Sequence, residues 1–304
     1  MIIIRLQGGL GNQMFQYALL LQLKKLGREV KIDEKSGYEE DRLRRPVLRE
    51  VFGLTYDEAS EREIRTLRDA FPDPVSRIRR KLFGRRNLEW EEPDGRFHPE
   101  VLTLEEGYLN GYFQSEQYFP DPEVRALIRE AFCPERKNLT GSAEAASLLE
   151  KIRGDGERSV SMHIRRGDYL LPETAKTHGG ICTESYYERA LALIGGQLGE
   201  TSLYVFSDDP AFAETYAESC REKGISGGRI RVVCLTKEQG DRKDAAELML
   251  MRACRHHVLA NSSYSWWGAW LKEPHHGKSL LIAPGRWYQN RADDGIYTEE
   301  MTRI

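Results

Sequence analysis

The segment His163-Ile164-Arg165-Arg166-Gly167-Asp168-Tyr169 gathers an imidazole, two guanidinium groups and a carboxylate at the end of an apolar run. If that run is a strand, its period of two sets His163 and Arg165 on one face and Ile164 on the other. An arginine fork emerging there binds phosphate oxygens through paired, charge-assisted hydrogen bonds, and Asp168 orients Arg165 or His163. The same residues also read as a strand-end ion pair beside a satisfied core histidine.

A second apolar run ends Tyr204-Val205-Phe206-Ser207-Asp208-Asp209-Pro210. Asp209 before Pro210 has the form of an N-cap followed by a first-turn proline. Ser207 and Asp208 are left at the ligand edge. An acid at Asp208 suits a ribose hydroxyl or the N–H groups of a guanine edge, with a solvated acid as the alternative. In Asn261-Ser262-Ser263-Tyr264-Ser265-Trp266-Trp267-Gly268-Ala269-Trp270, small polar residues open a helix. Its unbonded N–H groups and partial charge of about +0.5 favour an anion, and Ser262 or Ser263 caps it at the same time. Trp266, Trp267 and Trp270 stand at helical spacing, which points to packing rather than stacking on a base. Asp244-Ala245-Ala246-Glu247 has capping-box spacing, so both acids read as structural.

Near the N-terminus, Gly8-Gly9-Leu10-Gly11-Asn12-Gln13 permits close backbone approach, yet it matches neither G-x-G-x-x-G nor the P-loop. The stretch 109–119, which contains Gln114, is rich in aromatics and amides, a composition that binds sugar rings or forms an ordinary strand and turn.

These groups require a frame. Residues 2–6 read as a strand, 7–11 as a Gly-rich turn, 12–26 as a helix ended by Gly27, and 30–32 as a strand. From about 34 to 106 the chain is more charged, with short helices such as 57–71. Within it Arg77, Arg79, Arg80, Lys81, Arg85 and Arg86 crowd with Ile78, Leu82 and Phe83. A solvated helix face is the plain reading, and peripheral contact with anionic lipid at the inner membrane is the sharper one. A polar bridge over 135–157, helical through 143–152, marks the best boundary, giving domains 1–150 and 151–304. Beyond it, strands at 160–164, 203–206, 230–234, 257–260 and 280–283 alternate with helices at 184–194, 210–223, 245–254 and 264–272. That alternation implies a doubly wound parallel sheet, with ligands at the carboxyl ends of its strands.

Composition narrows the possibilities further. The 304 residues are 40% hydrophobic and 31% charged, which describes a globular protein of one large or two ordinary domains. A net charge of -3 gives no global reason to bind nucleic acid. Five scattered cysteines without a C-x-x-C pair suggest neither a disulfide framework nor zinc, and point to a reducing, cytoplasmic compartment. No run of 18 apolar residues and no charged leader is present, so secretion and membrane spanning are not expected. The patterns at Asn138 and Asn261 then carry no weight as glycosylation signals. The adjacent pairs His256-His257 and His275-His276 make poor shared metal ligands, and no strand-end D-x-D is present, so no metal or cofactor is expected.

Taken together, the segments 8–18, 111–116, 163–169, 206–209 and 260–267 resemble the bacterial α-1,2-fucosyltransferases of glycosyltransferase family 11. The likeness spans residues 1 to about 284; between 34 and 106 no motif matches, so the choice among galactose-containing acceptors is not carried over. It implies a GT-B fold, two Rossmann-like α/β domains with a parallel sheet in the C-terminal donor domain. It also implies GDP-β-L-fucose as co-substrate, a galactose-containing glycan as acceptor, inversion at the anomeric carbon and no metal. On that resemblance His163, Arg165, Asp168, Ser207, Asp208, Asn261, Ser262 and Ser263 face the donor, while Gly11, Asn12, Gln13 and Gln114 lie on the acceptor side. Arg165, His163 and Asn12 are the residues expected at the reaction itself. No general base stands out, because an amide such as Asn12 cannot take a proton at neutral pH. A nicotinamide-dependent epimerase or reductase fits less well, lacking G-x-G-x-x-G and any Tyr-x-x-x-Lys. A non-catalytic nucleotide-sugar or glycan-binding protein is the remaining class.

Overall fold

Ile2, Ile3 and Ile4 of β1 (Ile2–Arg5) are fully buried, a continuous apolar run of the kind that a central parallel strand requires. The computed structural model describes residues 1–41, 43–133, 142–225, 228–236, 240–274 and 277–304. Strand β1 pairs in parallel with β2 (Val30–Asp33) on one side and β4 (Gly107–Asn110) on the other. The short β3 (Glu89–Glu91) lies outside β4, so the order is β2-β1-β4-β3. Helix α1 (Leu10–Lys25) crosses from β1 to β2. It begins two residues earlier than the spacing predicts, capped by the backbone of Gly9, and this places Gly11, Asn12 and Gln13 in its first turn. It ends as predicted at Gly27, whose φ of +80° lets the N–H groups of Gly27 and Arg28 return to the carbonyls of Lys24 and Leu23.

The charged stretch from 34 to 106 holds α2 (Leu48–Phe52), α3 (Glu61–Leu67) and α4 (Pro74–Phe83). Helix α3 is shorter than the predicted 57–71 because a reciprocal Ser60–Glu63 capping box fixes its start, and Asp69 turns left-handed just after its end. The unit is completed by α5 (Pro122–Ala131).

Two compact units divide the chain, one comprising Met1–Ala131 with Asp294–Ile296, the other Phe132–Asp293 with Tyr297–Ile304. Helix α6 (Ala143–Asp155) belongs to the second, where Ala145, Leu149 and Ile152 join the core. Residues 135–141 of the predicted bridge lie outside the described residues.

The second unit is built on six parallel strands: β5 (Ser159–Ile164), β6 (Ser202–Ser207), β7 (Arg229–Val232), β8 (His256–Val258), β9 (Leu281–Ala283) and β10 (Met301–Arg303). Their order is β10-β9-β8-β5-β6-β7, and every pairing is parallel. The predicted strands are all present, each within two residues of its expected start. Two elements were not foreseen: β10, three residues long, and α7 (Pro172–His178). The remaining helices are α8 (Glu184–Leu198), α9 (Pro210–Glu222), α10 (Asp241–Ala253) and α11 (Ser263–Trp270). Alternate residues of β6 feed two cores. Leu203 and Val205 pack with α8 and α9, whereas Tyr204 and Phe206 pack with α6 and α10. Helices thus cover both faces, and two parallel α/β units stand where the GT-B expectation requires two Rossmann-like domains.

Both sheets reverse direction of growth beside their first strand, between β5 and β8 in one and between β1 and β4 in the other. Such switch points open a crevice at the carboxyl ends of the strands. All five cysteines are free thiols, and among the described residues no helix is long and apolar enough to cross a membrane.

Candidate functional site

Strand β5 delivers His163 and Arg165 to its switch point as the alternation predicts. Ile164 joins the core under α8 and α9, while the ring of His163 lies on the other side, 5.7 Å from that of Tyr264 on α11. His163 is buried, and Tyr187 Oη donates to its carbonyl at 3.0 Å. Burial, and then the charge of Arg165, hold the imidazole neutral by pushing its pKa down to about 3.

Arg165 leaves the strand between two acids. Nη2 donates to Asp168 Oδ1 at 2.6 Å and Nη1 lies 3.0 Å from Asp208 Oδ2. Burial alone would discourage its charge; Asp208 and Asp168 more than reverse that, so the guanidinium is firmly cationic. Asp208 also accepts the backbone N–H of Arg166 at 2.9 Å. Gly167 leaves room for it, since a Cβ there would stand 2.3 Å from Asp208 Oδ2 and the carboxylate would have to shift. Arg166 turns the other way, with Nε 3.2 Å from Asp209 Oδ2 and its guanidinium 3.8 Å above the Phe212 ring. Asp209 caps α9 by accepting from Phe212 N–H, as the Asp-Pro pair predicts.

Ser207 and Asn261 are brought to the same edge, with their polar groups occupied inside the protein. Ser207 Oγ donates to the Ile164 carbonyl at 2.8 Å and accepts Asp209 N–H at 3.0 Å, tying the ends of β5 and β6 together. The Asn261 amide donates to the carbonyls of His178 and Trp287 at 3.0 and 3.2 Å. The backbone carbonyl of Asn261 accepts Tyr169 Oη at 2.9 Å, and the Arg165 guanidinium lies 5.5 Å from the Tyr169 ring. Tyr169 therefore links the two halves of the crevice, a role sequence reasoning missed. Ser262 caps α11, accepting from Tyr264 N–H at 3.3 Å, and Ser263 is the first residue of that helix. Trp266, Trp267 and Trp270 are buried against one another, as their spacing predicts.

The capping-box reading of Asp244 and Glu247 is not what the structure shows. Helix α10 starts one turn earlier, at Asp241 behind Gly240, so these two acids stand inside the helix instead of at its cap and third positions. Asp244 is exposed, and Glu247 is buried. Among the described residues no three His, Cys, Asp or Glu side chains converge as metal ligands. His256 donates to the Glu157 carbonyl and accepts Leu280 N–H, and His257 shares a hydrogen bond with Ser161 Oγ. His275 and His276 lie outside the described residues.

The N-terminal unit presents its own cluster at the switch point between β1 and β4. Asn12, in the first turn of α1, accepts from Gln114 Nε2 at 2.7 Å. A Cβ on Gly8, which sits at φ +78°, would come within 2.5 Å of Asn12 Nδ2. Gln13 is fully buried and spends its amide on structure. It donates to the carbonyls of Gly8 and Arg45 and accepts Val47 N–H. Gln16 likewise joins Gln7 N–H to the Gly111 carbonyl. Glu92, unremarkable in sequence, accepts the N–H groups of Tyr112 and Phe113 at 2.8 and 3.1 Å, and so holds Phe113 at its left-handed φ of 53°.

Each unit thus carries polar groups at a switch point of a parallel sheet, one of them a cationic fork suited to phosphate. Comparisons with known proteins place the chain as a whole. The chain is 29% identical over 303 residues to the O-antigen biosynthesis glycosyltransferase WbnK of Escherichia coli, covering 93% of each protein. It is 28% identical over 297 residues to an alpha-1,2-colitosyltransferase of Escherichia coli, covering 95% of this chain and 92% of that one. It is 26% identical over 272 residues to galactoside 2-alpha-L-fucosyltransferase SEC1 of Bos taurus, covering 88% of this chain and 63% of that one. Residues 103–302, which carry the crevice of the second unit and Gln114, match the family described as Glycosyl transferase family 11, and the chain is a glycosyltransferase belonging to that family.

Proposed function

We propose that the protein transfers L-fucose from GDP-β-L-fucose to the 2-hydroxyl of a galactoside, with inversion at the anomeric carbon. The observation that carries this reading is the Arg165 fork, held cationic between Asp168 and Asp208 at the switch point of a Rossmann-type sheet. The name of the bovine relative supports both the sugar and the acceptor hydroxyl.

In this mechanism Arg165 and the start of α11 at Ser262 and Ser263 neutralise the GDP leaving group while a fucosyl centre of oxocarbenium character is attacked by the acceptor hydroxyl. His163, Asp168, Ser207, Asp208 and Asn261 shape that donor crevice. Asp168 and Asp208 aim the fork, and Ser207 and Asn261 hold the strand ends that carry it. On the acceptor side Asn12 and Gln114 present amides to sugar hydroxyls, with Gly11 allowing close approach and Gln13 fixing the turn. Among the described residues the carboxylate of this cluster, Glu92, is committed to the N–H groups of Tyr112 and Phe113, so in this mechanism a phosphate oxygen of the departing GDP receives the acceptor proton.

Helix α4 adds a seat for the protein on a surface. Val75, Ile78, Leu82 and Phe83 are 76%, 59%, 69% and 80% exposed along it. Arg77, Lys81 and Arg85 flank them and have no ion-pair partner among the described residues, whereas Arg79 and Arg80 are bound to Asp69. An apolar stripe edged by unpaired cations fits an anionic lipid face, where a lipid-linked glycan acceptor would be presented.

The direct test is GDP release from GDP-fucose by the purified protein in EDTA, with and without lactose or N-acetyllactosamine, and the product linkage read by NMR. Acceptor-stimulated release and an α-1,2 linkage are expected. The colitosyltransferase relative makes a donor lacking the 3-hydroxyl the comparison to run beside it. A preference for that donor would overturn fucose as the transferred sugar.

A further inference from the structure

The amino ends of β6 and β7 enclose two adjoining hollows, at the opposite end of the second sheet from Arg165. The first, of about 300 Å³, is lined by Lys151, Asp155, Ser202, Tyr204, Arg229 and Arg231. The second, of about 330 Å³, shares Ser202 and Arg229 with it and adds Arg158 and Glu200. Both are of the size that small ligands occupy.

The local fold explains why cations gather there. Strand β7 is the outermost of its sheet, paired with β6 so that Arg229 stands beside Ser202 and Arg231 beside Tyr204. The period of two then sends Ile230 and Val232 to the core under α8 and α9, and the two arginines to the other face, next to the end of α6. A Cβ on Gly228 would stand 2.0 Å from the Thr201 carbonyl oxygen, so the chain enters β7 pressed against β6. The Arg229 N–H donates to that carbonyl at 3.0 Å.

One acid braces this arrangement. Asp155, at the end of α6, accepts Tyr204 Oη at 2.6 Å and Arg229 Nη2 at 3.0 Å on its two oxygens. Burial alone would raise its carboxyl; hydrogen bonds from Tyr204 and Ser202, with the charges of Arg229 and Arg158, more than reverse that and keep it ionised. Tyr204 is 3% exposed, so the brace is anchored in the core. Lys151, Arg158 and Arg231 make no ion pair among the described residues. In the first hollow three cations therefore face one acid that is already committed. Edge strands carry cations to deter pairing with other chains, which accounts for Arg229 and Arg231. It does not account for the Asp155–Tyr204 brace, nor for Lys151 and Arg158 arriving from α6 and from the turn before β5.

We propose that the two hollows form a binding site for a soluble diphosphate, held by Arg229 at its centre, with Lys151 and Arg231 on one side and Arg158 on the other. Guanidinium groups bind phosphate oxygens in pairs, and two hollows joined at one arginine match two linked phosphate groups. None of the exposed large apolar residues of the described chain lines either hollow, so the apolar footing that a lipid surface needs is missing here. The site stands apart from the donor crevice and does not depend on the reaction proposed there.

The test is calorimetric titration of inorganic pyrophosphate into the full-length protein in about 0.15 M salt, where loose attraction to surface charge is screened. Arg165→Ala serves as the background, because it removes the cation of the donor crevice. One pyrophosphate per chain is expected in that background, bound at least tenfold more tightly than orthophosphate. Adding Lys151→Gln and Arg231→Gln should weaken it tenfold or more, with an unchanged Tm because both side chains are exposed. No binding in the Arg165→Ala background, equal affinity for orthophosphate, or unchanged affinity after the two further substitutions would each overturn the site. Flotation with phosphatidylglycerol vesicles should be the same for Lys151→Gln with Arg231→Gln as for the wild type; its loss would overturn a soluble ligand in favour of a lipid headgroup.

Discussion

The amide of Gln114 donates to Asn12 Oδ1 at 2.7 Å across a sequence separation of 102 residues, joining the turn after β1 to the turn after β4. Their side chains meet because β1 and β4 are adjacent parallel strands, which brings both following turns to one edge. If these amides address the acceptor, Asn12→Ala should raise the acceptor KM or lower kcat by roughly 10- to 100-fold, the loss of one or two buried hydrogen bonds. Affinity for GDP, measured by calorimetry, should stay within about twofold of wild type.

In the proposed mechanism Arg165 is the cation that neutralises the leaving group. Arg165→Ala should lower kcat by about 100- to 1000-fold, or about 3 to 4 kcal/mol of transition-state stabilisation. Arg165→Lys keeps the charge without the fork and should fall between the two. Near wild-type turnover in Arg165→Ala, read as GDP release, would remove this residue from the mechanism.

Gly167 offers a test that removes no charged group. Its substitution by Ala puts a methyl group 2.3 Å from Asp208 Oδ2, so the carboxylate must move off Arg165. Turnover is expected to drop by on the order of tenfold, with donor affinity falling in step. A crystal structure of the variant should show the Arg165–Asp208 contact lengthened.

Glu247 and His163 act on stability in opposite senses. Burial places the His163 value in the folded protein at about 3, below its usual 6.5, so the unfolded chain takes up that proton first and stability falls with pH from 6.5 toward 3. Burial raises the Glu247 value to about 7 from 4.5, so the folded chain takes up that proton first and stability falls as pH rises from 4.5 through 7. Glu247→Gln removes the second effect alone. Its Tm relative to wild type should therefore climb between pH 4.5 and 7 and level off above; parallel curves would show that Glu247 is not held protonated.

Helix α4 can be checked without substrate. Flotation with phosphatidylglycerol vesicles is expected for the wild type, and not with phosphatidylcholine alone. Replacing Arg77, Lys81 and Arg85 by Glu should weaken binding by about fivefold or more per residue, since each cation near such a surface contributes about 1 kcal/mol. Absence of binding by the wild type would return α4 to an ordinary solvated face.

The parts of the molecule legible in sequence are those whose signal is local. Alternation along β5 and β6 gave the faces of His163 and Ile164, the Asp209-Pro210 pair gave a cap, and helical spacing put the three tryptophans of α11 inside. What escaped depends on partners far away in the chain. Strands β3 and β10 are three residues each and, unlike the equally short but buried β8 and β9, lack a buried apolar run; they exist because β4 and β9 offer them an edge. Glu247 was read as a capping acid because spacing alone cannot say where a helix begins; Gly240 moved that start by a turn. Its burial on the face that also carries Leu250, Met251 and Cys254 was the available signal. Glu92 gave no signal, since its task is set by the backbone at 111–113.

The strand order of the second unit also bears on how the protein comes to fold. Strand β5 stands at the centre and meets β6 early, but its pairing with β8 joins Ser161 to His257, 96 residues further on. Closing so long a loop is slow, because chain entropy opposes the contact until the intervening strands and helices have settled. The crevice between these two strands comes into being only at that docking. A refolding chain should therefore acquire most of its helix before it can hold a nucleotide, and added nucleotide should slow unfolding while leaving the early folding phases at their own rate.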